Sequence, residues 1–224
     1  MASIKESAAC QFINEVMMDW GVPERIKIDN GIPLAYANSR DLPTRTQLWW
    51  IGLGIEVQLN APRVPQQNGV VEGLQGICHR WSNPKAYQEM QAYQKRIDQT
   101  TLFQREHYRI RRKGDKTRKE LYPELWDNKR IYDPNNFDMN HIYKYLSDKV
   151  WKRRIRSCGS VKFWKKDIYV GKKFAYYPVT ITFDPLEIQW IIRMENGTLL
   201  KTSKKEFFTE KELFIHAGIS KNFG

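Results

Sequence analysis

The chain of 224 residues carries 37 Lys and Arg against 25 Asp and Glu, a formal charge of +12, with 41% hydrophobic and 13% aromatic residues. That length holds one large domain or two small ones, and no apolar run approaches the ~20 residues that span a bilayer. The first residues lack the basic-then-apolar pattern of a signal peptide, so a cytoplasmic, nucleoid-associated location with no membrane partner is expected. Cys10, Cys78 and Cys158 stand far apart and without a CxxC pair, which argues against a zinc site or a disulfide framework. Residues 1–94 hold 8 Lys and Arg against 9 Asp and Glu, whereas residues 95–224 hold 29 against 16. A solubilising surface accounts for such a charge as well as a ligand does, but its asymmetry points to a polyanion for the second half.

Residues 3–20 read as an amphipathic helix, with Ala9, Phe12, Ile13, Val16, Met17 and Trp20 on one stripe and Gly21 and Pro23 closing it. Arg25–Ile28 reads as a short strand ending in the turn Asp29-Asn30-Gly31. A second helix is expected near 44–53, then a strand over Ile55–Leu59. Two prolines keep Asn60–Gly69 irregular. From Val70 to about Trp81 a helix follows, with Val71, Leu74, Cys78 and Trp81 on one stripe and Glu72, Gln75 and His79 on another face.

Residues 84–156 are rich in charge and aromatics, with helices expected near 85–99 and 139–151. Between them lies a basic run: Arg109, Arg111, Arg112, Lys113, Lys116, Arg118 and Lys119. After Ser157 the pattern changes to strands. Val179, Ile181 and Phe183 alternate with polar residues, Asp184-Pro185 turns the chain, and Ile188, Trp190, Ile192 and Met194 alternate again. Glu195-Asn196-Gly197 is a hairpin turn. Such short strands in sequence predict a small SH3-like barrel over 157–210, with 211–224 as a tail.

Two acids stand out by placement. Asp29 lies at the C-terminal end of a strand, where α/β sheets meet ligands. Glu72 opens a helix and faces away from its apolar stripe. Converging carboxylates suit Mg²⁺, and paired metals stabilise the attacking and leaving oxygens of phosphoryl transfer. On spacing alone, a turn aspartate and a solvated helix glutamate remain the commoner explanation.

The surrounding residues change that balance. Gly21-Val22-Pro23-Glu24-Arg25-Ile26-Lys27-Ile28-Asp29-Asn30-Gly31 resembles the second-aspartate motif of DDE-type transposases and integrases. Leu53-Gly54-Ile55-Glu56-Val57 and Pro65-Gln66-Gln67-Asn68-Gly69-Val70-Val71-Glu72 resemble the segment ending in the catalytic glutamate of that family. The resemblance implies part of an RNase H-like α/β core over 1–83, a helical, basic connector over 84–156, and a small barrel similar to that of Mu-type transposases. It also implies Mg²⁺ or Mn²⁺ as cofactor, held by Asp29 and Glu72 as second and third acids, with water or a DNA 3′-hydroxyl attacking a phosphodiester. Gln75 and His79 would approach DNA, as the basic run would. The implied partners are transposon-end and target DNA, and copies of the chain or a separate upstream polypeptide.

One departure bears on activity. The family's first acid stands on the opening strand of the core, well upstream of the second, yet only 28 residues precede Asp29. Asp19, on the first helix, cannot take that role. The expectation is a chain starting at the first core helix and inactive alone, or a non-enzymatic competitor that binds DNA or the full enzyme. Five large side chains of the first helix left uncovered would forfeit roughly 1.5–3 kcal/mol each, comparable to the stability of a domain.

Overall fold

The computed structural model describes residues 5–29, 31, 34–35, 41–61, 69–127, 130–164 and 166–221. In chain order they form helix α1 (Glu6–Trp20), strand β1 (Arg25–Ile28), α2 (Arg45–Gly52), β2 (Glu56–Leu59), α3 (Gly69–Ser82), α4 (Met90–Glu106), α5 (Arg118–Leu121) and α6 (Met139–Ser147). Strands β3 (Trp151–Arg154), β4 (Ser160–Phe163), β5 (Lys166–Tyr169), β6 (Pro178–Asp184), β7 (Gln189–Met194) and β8 (Leu199–Ser203) follow, and α7 (Glu210–His216) closes the series. The fold is mixed α/β. No described helix is long and apolar enough to cross a membrane. The loop expected over Asn60–Gly69 lies outside the described residues from 62 to 68, as does Asn30 of the expected turn.

The chain divides into two compact units. One gathers Met1–Val16, Pro23–Leu59 and Tyr132–Gly224, and the other Met17–Val22 and Asn60–Ile131. Residues 23–59 thus cluster with the C-terminal strands rather than with residues 60–83, a grouping that no reading along the chain anticipates. Its cause is packing around α2.

In the first unit, β1 and β2 pair in parallel with Arg25 opposite Glu56 and Ile28 opposite Leu59, and α2 is the crossover between them. Thr44 caps α2 by accepting from the Gln47 N–H at 3.2 Å, which satisfies a donor that the helix leaves free. Every residue of α2 from Thr46 to Gly52 is buried. Trp49 stacks on Phe137 at 4.9 Å and meets Phe214 edge-on at 5.0 Å, while Phe137 and Phe214 meet at 5.2 Å. Gly52 is required here because a Cβ would drive into the Phe137 ring.

Four antiparallel strands in the order β3-β6-β7-β8 make the larger sheet, and β4 and β5 form a separate hairpin. Among the described residues these strands do not close into a barrel. Val179, Ile181, Phe183, Trp190 and Ile192 are buried, matching the predicted alternation. Ile188 is a correction: it lies in the turn at a φ of 48° and is 52% exposed. Asp41 ties the segment before α2 to this sheet, since its backbone oxygen accepts from Trp151 Nε1 at 2.7 Å and its carboxylate meets Arg153 at 2.6 Å.

Helix α1 buries a face rotated from the predicted one: Met17 of the predicted stripe is buried and Ala9, Ile13 and Trp20 are half-buried. Cys10, Asn14 and Met17 are buried, while Phe12 and Val16 are 64% and 43% exposed. Polar contacts choose this face: Trp49 Nε1 donates to Asn14 Oδ1 at 3.0 Å, Asn14 Nδ2 donates to the Ala217 oxygen at 3.1 Å, and the Thr46 N–H donates to Glu6 Oε1 at 3.0 Å. Burial pushes the Cys10 thiol up to about 12, so it stays a neutral packing group. The expected tail is likewise corrected. Residues 210–216 are helical, capped by Thr209 and Glu212, and Leu213 and Phe214 are essentially buried.

In the second unit, Trp81 of α3 packs edge-on against Phe103 at 5.7 Å and Tyr108 at 5.2 Å. Arg96 on α4 donates to the Trp81 oxygen at 3.1 Å. The predicted stripe of α3 is only half used, because Val71 and Leu74 are 56% and 42% exposed. Packing seizes the C-terminal half of α3 and leaves its first turns open.

Two expected outcomes follow from this packing. Phe214→Ala empties the centre of the aromatic cluster and costs about 3–5 kcal/mol, read as a lowered denaturation midpoint; a change below about 0.5 kcal/mol would restore the tail reading. His216 Nε2 lies 2.9 Å from Thr46 Oγ1 and 3.5 Å from Glu6 Oε1. Burial holds its pKa below the ordinary value, opposed by Glu6 and reinforced by Arg45. The unfolded chain therefore takes up the proton first. This contribution is complete above about pH 6.5 and is lost as pH falls through the lower folded value, so His216→Gln makes the thermal midpoint less sensitive to acidification in that window.

Candidate functional site

Asp29 immediately follows β1, and its side chain is fixed locally: the Gly31 N–H donates to Asp29 Oδ1 at 3.0 Å. The residue is exposed. A Cβ at position 31 would stand 3.1 Å from Asp29 Oδ1, so glycine there lets the carboxylate fold back onto the turn. Glu72 sits in the first turn of α3 and is exposed, as are Gln75 and His79 further along the helix. The residues Pro65-Gln66-Gln67-Asn68 that precede this helix lie outside the described ones.

Asp29 belongs to the first unit and Glu72 to the second. Among the described residues no group of three His, Cys, Asp or Glu side chains is placed to hold a metal ion. One oxygen of Asp29 already accepts from the Gly31 N–H, whereas a pair of divalent ions in this chemistry needs several converging carboxylate oxygens.

The basic run resolves into two groups. Residues 110–116 form a tight loop, closed by an isolated antiparallel bridge between Ile110 and Lys116. Gly114 and Asp115 take φ values of 74° and 60° at its tip, a left-handed pair that glycine and aspartate tolerate best. Arg109 clamps the loop by donating to the Asp115 oxygen at 2.8 Å. Arg118 donates to the Gln104 oxygen at the end of α4 at 2.8 Å, and Lys119 meets Glu106 at 3.4 Å. Below the loop, Thr117 and Glu120 form a capping box for α5, and the Thr117 backbone N–H holds the Glu120 carboxyl below its usual value.

That leaves Arg111, Arg112, Lys113 and Lys116, all exposed. Their side chains make no hydrogen bond or ion pair among the described residues. Three of them sit on one 3₁₀ turn, Arg111–Lys113. Four cations on one short loop form a concentrated positive point suited to phosphate. The charge count alone merged these four with the three structural ones; the Gly114-Asp115 pair, a turn signal, could have separated them.

A comparison with protein-family models matches none, and no curated protein matches the chain.

Removing the cap tests how the loop is held. Thr117→Ala is expected to cost about 0.5–2 kcal/mol, with increased amide exchange over residues 109–121. Arg111→Ala, whose side chain has no partner to lose, should change neither; equal losses from both variants would contradict this division.

Proposed function

We propose that the chain is a DNA-binding part of a DDE-type transposase or integrase, with an RNase H-like partial core and an SH3-like C-terminal sheet. Of the two activities in that reading, DNA binding is assigned to these 224 residues. Strand cleavage and transfer are assigned to an assembly in which a further carboxylate joins Asp29 and Glu72 about Mg²⁺ or Mn²⁺.

The observation that carries the proposal is the order of elements around the two acids. Asp29 ends a strand that pairs in parallel with β2 through the α2 crossover, and the chain then reaches Glu72 on the first turn of α3. That order accords with the sequence around each acid. The loop bearing Arg111, Arg112, Lys113 and Lys116 supports the DNA-binding half of the reading. Among the described residues Arg111, Arg112 and Lys113 have no intramolecular partner to give up on meeting phosphates, and each contact releases condensed counterions. Exposed Gln75 and His79 on α3 are assigned to the same DNA path. Partners in this reading are transposon-end and target DNA, copies of the chain, and a separate upstream polypeptide that supplies the remaining acid.

Anisotropy titrations of a labelled duplex at several salt concentrations test the binding. Affinity should fall steeply with salt, and the triple change Arg111→Ala, Arg112→Ala and Lys113→Ala should flatten the log–log slope by about 2–3. Equal slopes for the two proteins would remove the loop from the interface. The chain alone with Mg²⁺ or Mn²⁺ should not nick supercoiled plasmid, and nicking abolished by Asp29→Asn would show the acids to be sufficient.

A further inference from the structure

A cavity of about 200 Å³ lies within the first unit, bordered by α6, the β6–β7 turn and the segment leading into α7. Its wall is aromatic. Tyr143 stands 5.5 Å from Phe183, Phe183 4.8 Å from Trp190, and Trp190 5.5 Å from Phe207, measured between ring centroids. Phe183, Trp190 and Phe207 are buried in this wall, whereas Tyr143 is partly open. None of these rings belongs to the DNA-binding reading, and the cavity holds no residue of the basic loop.

Carboxylates border the same cavity. Glu206 and Glu210 line it, and the Tyr143 hydroxyl is pushed up by burial first, then by the charges of Glu206 and Glu210. Both carboxylates are thus within electrostatic reach of that ring. Glu210 meets Lys221 at 2.9 Å, but the Glu206 carboxylate has no ion-pair partner among the described residues. Lys204 and Lys205 also border the cavity, and each is engaged by a group outside its lining: Lys204 Nζ faces Glu187 at 3.9 Å, and Lys205 Nζ donates to the Asp167 oxygen at 2.7 Å. Lys166 Nζ donates to the Glu206 backbone oxygen at 2.8 Å, which leaves an occupant the aromatic surface and the Glu206 carboxylate.

We propose that this cavity binds an alkylated ammonium group, held against the rings of Tyr143 and Trp190 and by the carboxylate of Glu206. Ring faces carry the negative part of the aromatic quadrupole, and a cation whose charge is spread over methyl groups is cheaply desolvated against them. A phosphate-bearing ligand would meet two carboxylates at the rim, beside two lysines already engaged elsewhere. A neutral apolar group would fill the space but gain nothing from the exposed Glu206 carboxylate.

The test follows the Trp190 indole N–H signal of the isotope-labelled full chain during titration with choline and, separately, with trimethyl-lysine amide. Saturable shifts with either are expected, the tighter one naming a free headgroup or a modified protein side chain as the source. The neutral isostere 3,3-dimethylbutan-1-ol should give no saturable shift at the same concentrations. Glu206→Gln, an exposed position, should keep the native spectrum and weaken the cation by about 3- to 10-fold, and Tyr143→Leu should weaken it further. Equal binding of the isostere, a response to thymidine in place of the cations, or silence towards every probe would overturn the proposal. No DNA is present in this titration, so such a failure leaves the DNA-binding reading untouched.

Discussion

The stacked contact between Trp49 and Phe137, closed by Phe214, is the interaction on which the first unit depends. A two-stranded parallel sheet of four-residue strands is a weak element, because parallel pairing ordinarily relies on cover from both faces. Here β1 and β2 retain exposed residues at alternate positions. Stability must come from the crossover helix instead, and α2 is buried on every side. Three aromatic rings from three distant stretches of chain meet on it, and their pair geometry adds to the apolar area that they bury. Asp29 is positioned by a strand that this helix holds in place.

Much of the fold was legible in the sequence. The strand before Asp29, the helix with its closing glycines, the strand after it and the helix carrying Glu72 all stand where periodicity and turn residues put them. The β6–β7 ladder was equally plain, since Val179, Ile181 and Phe183 alternate over a half-buried surface. The failures have a common cause. Asn14 is selected for the buried face of α1 by two hydrogen bonds, and hydrophobic patterning ranks an asparagine as solvent-facing. Helix α7 spans seven residues, too few for a 3.6-residue period to declare itself, so its buried Leu213 and Phe214 looked like scattered apolar residues in a tail.

Charge behaved differently from pattern. Composition located the positive half of the chain but could not say which cations are structural. Arg118 serves a backbone oxygen of α4, and Arg105 lies over the Trp20 ring, so both contribute to packing within the second unit. Arg111, Arg112 and Lys113 differ only in being carried on a turn that points no partner at them. Separating the two kinds requires the loop geometry set by Gly114 and Asp115. For the two acids the sequence is the richer source, since their meaning comes from the residues around them rather than from their present surroundings.

The packing of α7 on α1 and α2 has a consequence for how the chain is made. Ala217 supplies the oxygen that Asn14 donates to, 203 positions away, and Phe214 completes a cluster begun at Trp49. During synthesis α1 and α2 therefore wait, with the Trp49 ring short of its Phe214 neighbour, until α7 has left the ribosome. Contacts of such sequence separation slow folding and lengthen the exposure of apolar surface. Vectorial growth thus keeps the Trp49 ring waiting for its Phe214 neighbour until α7 has emerged.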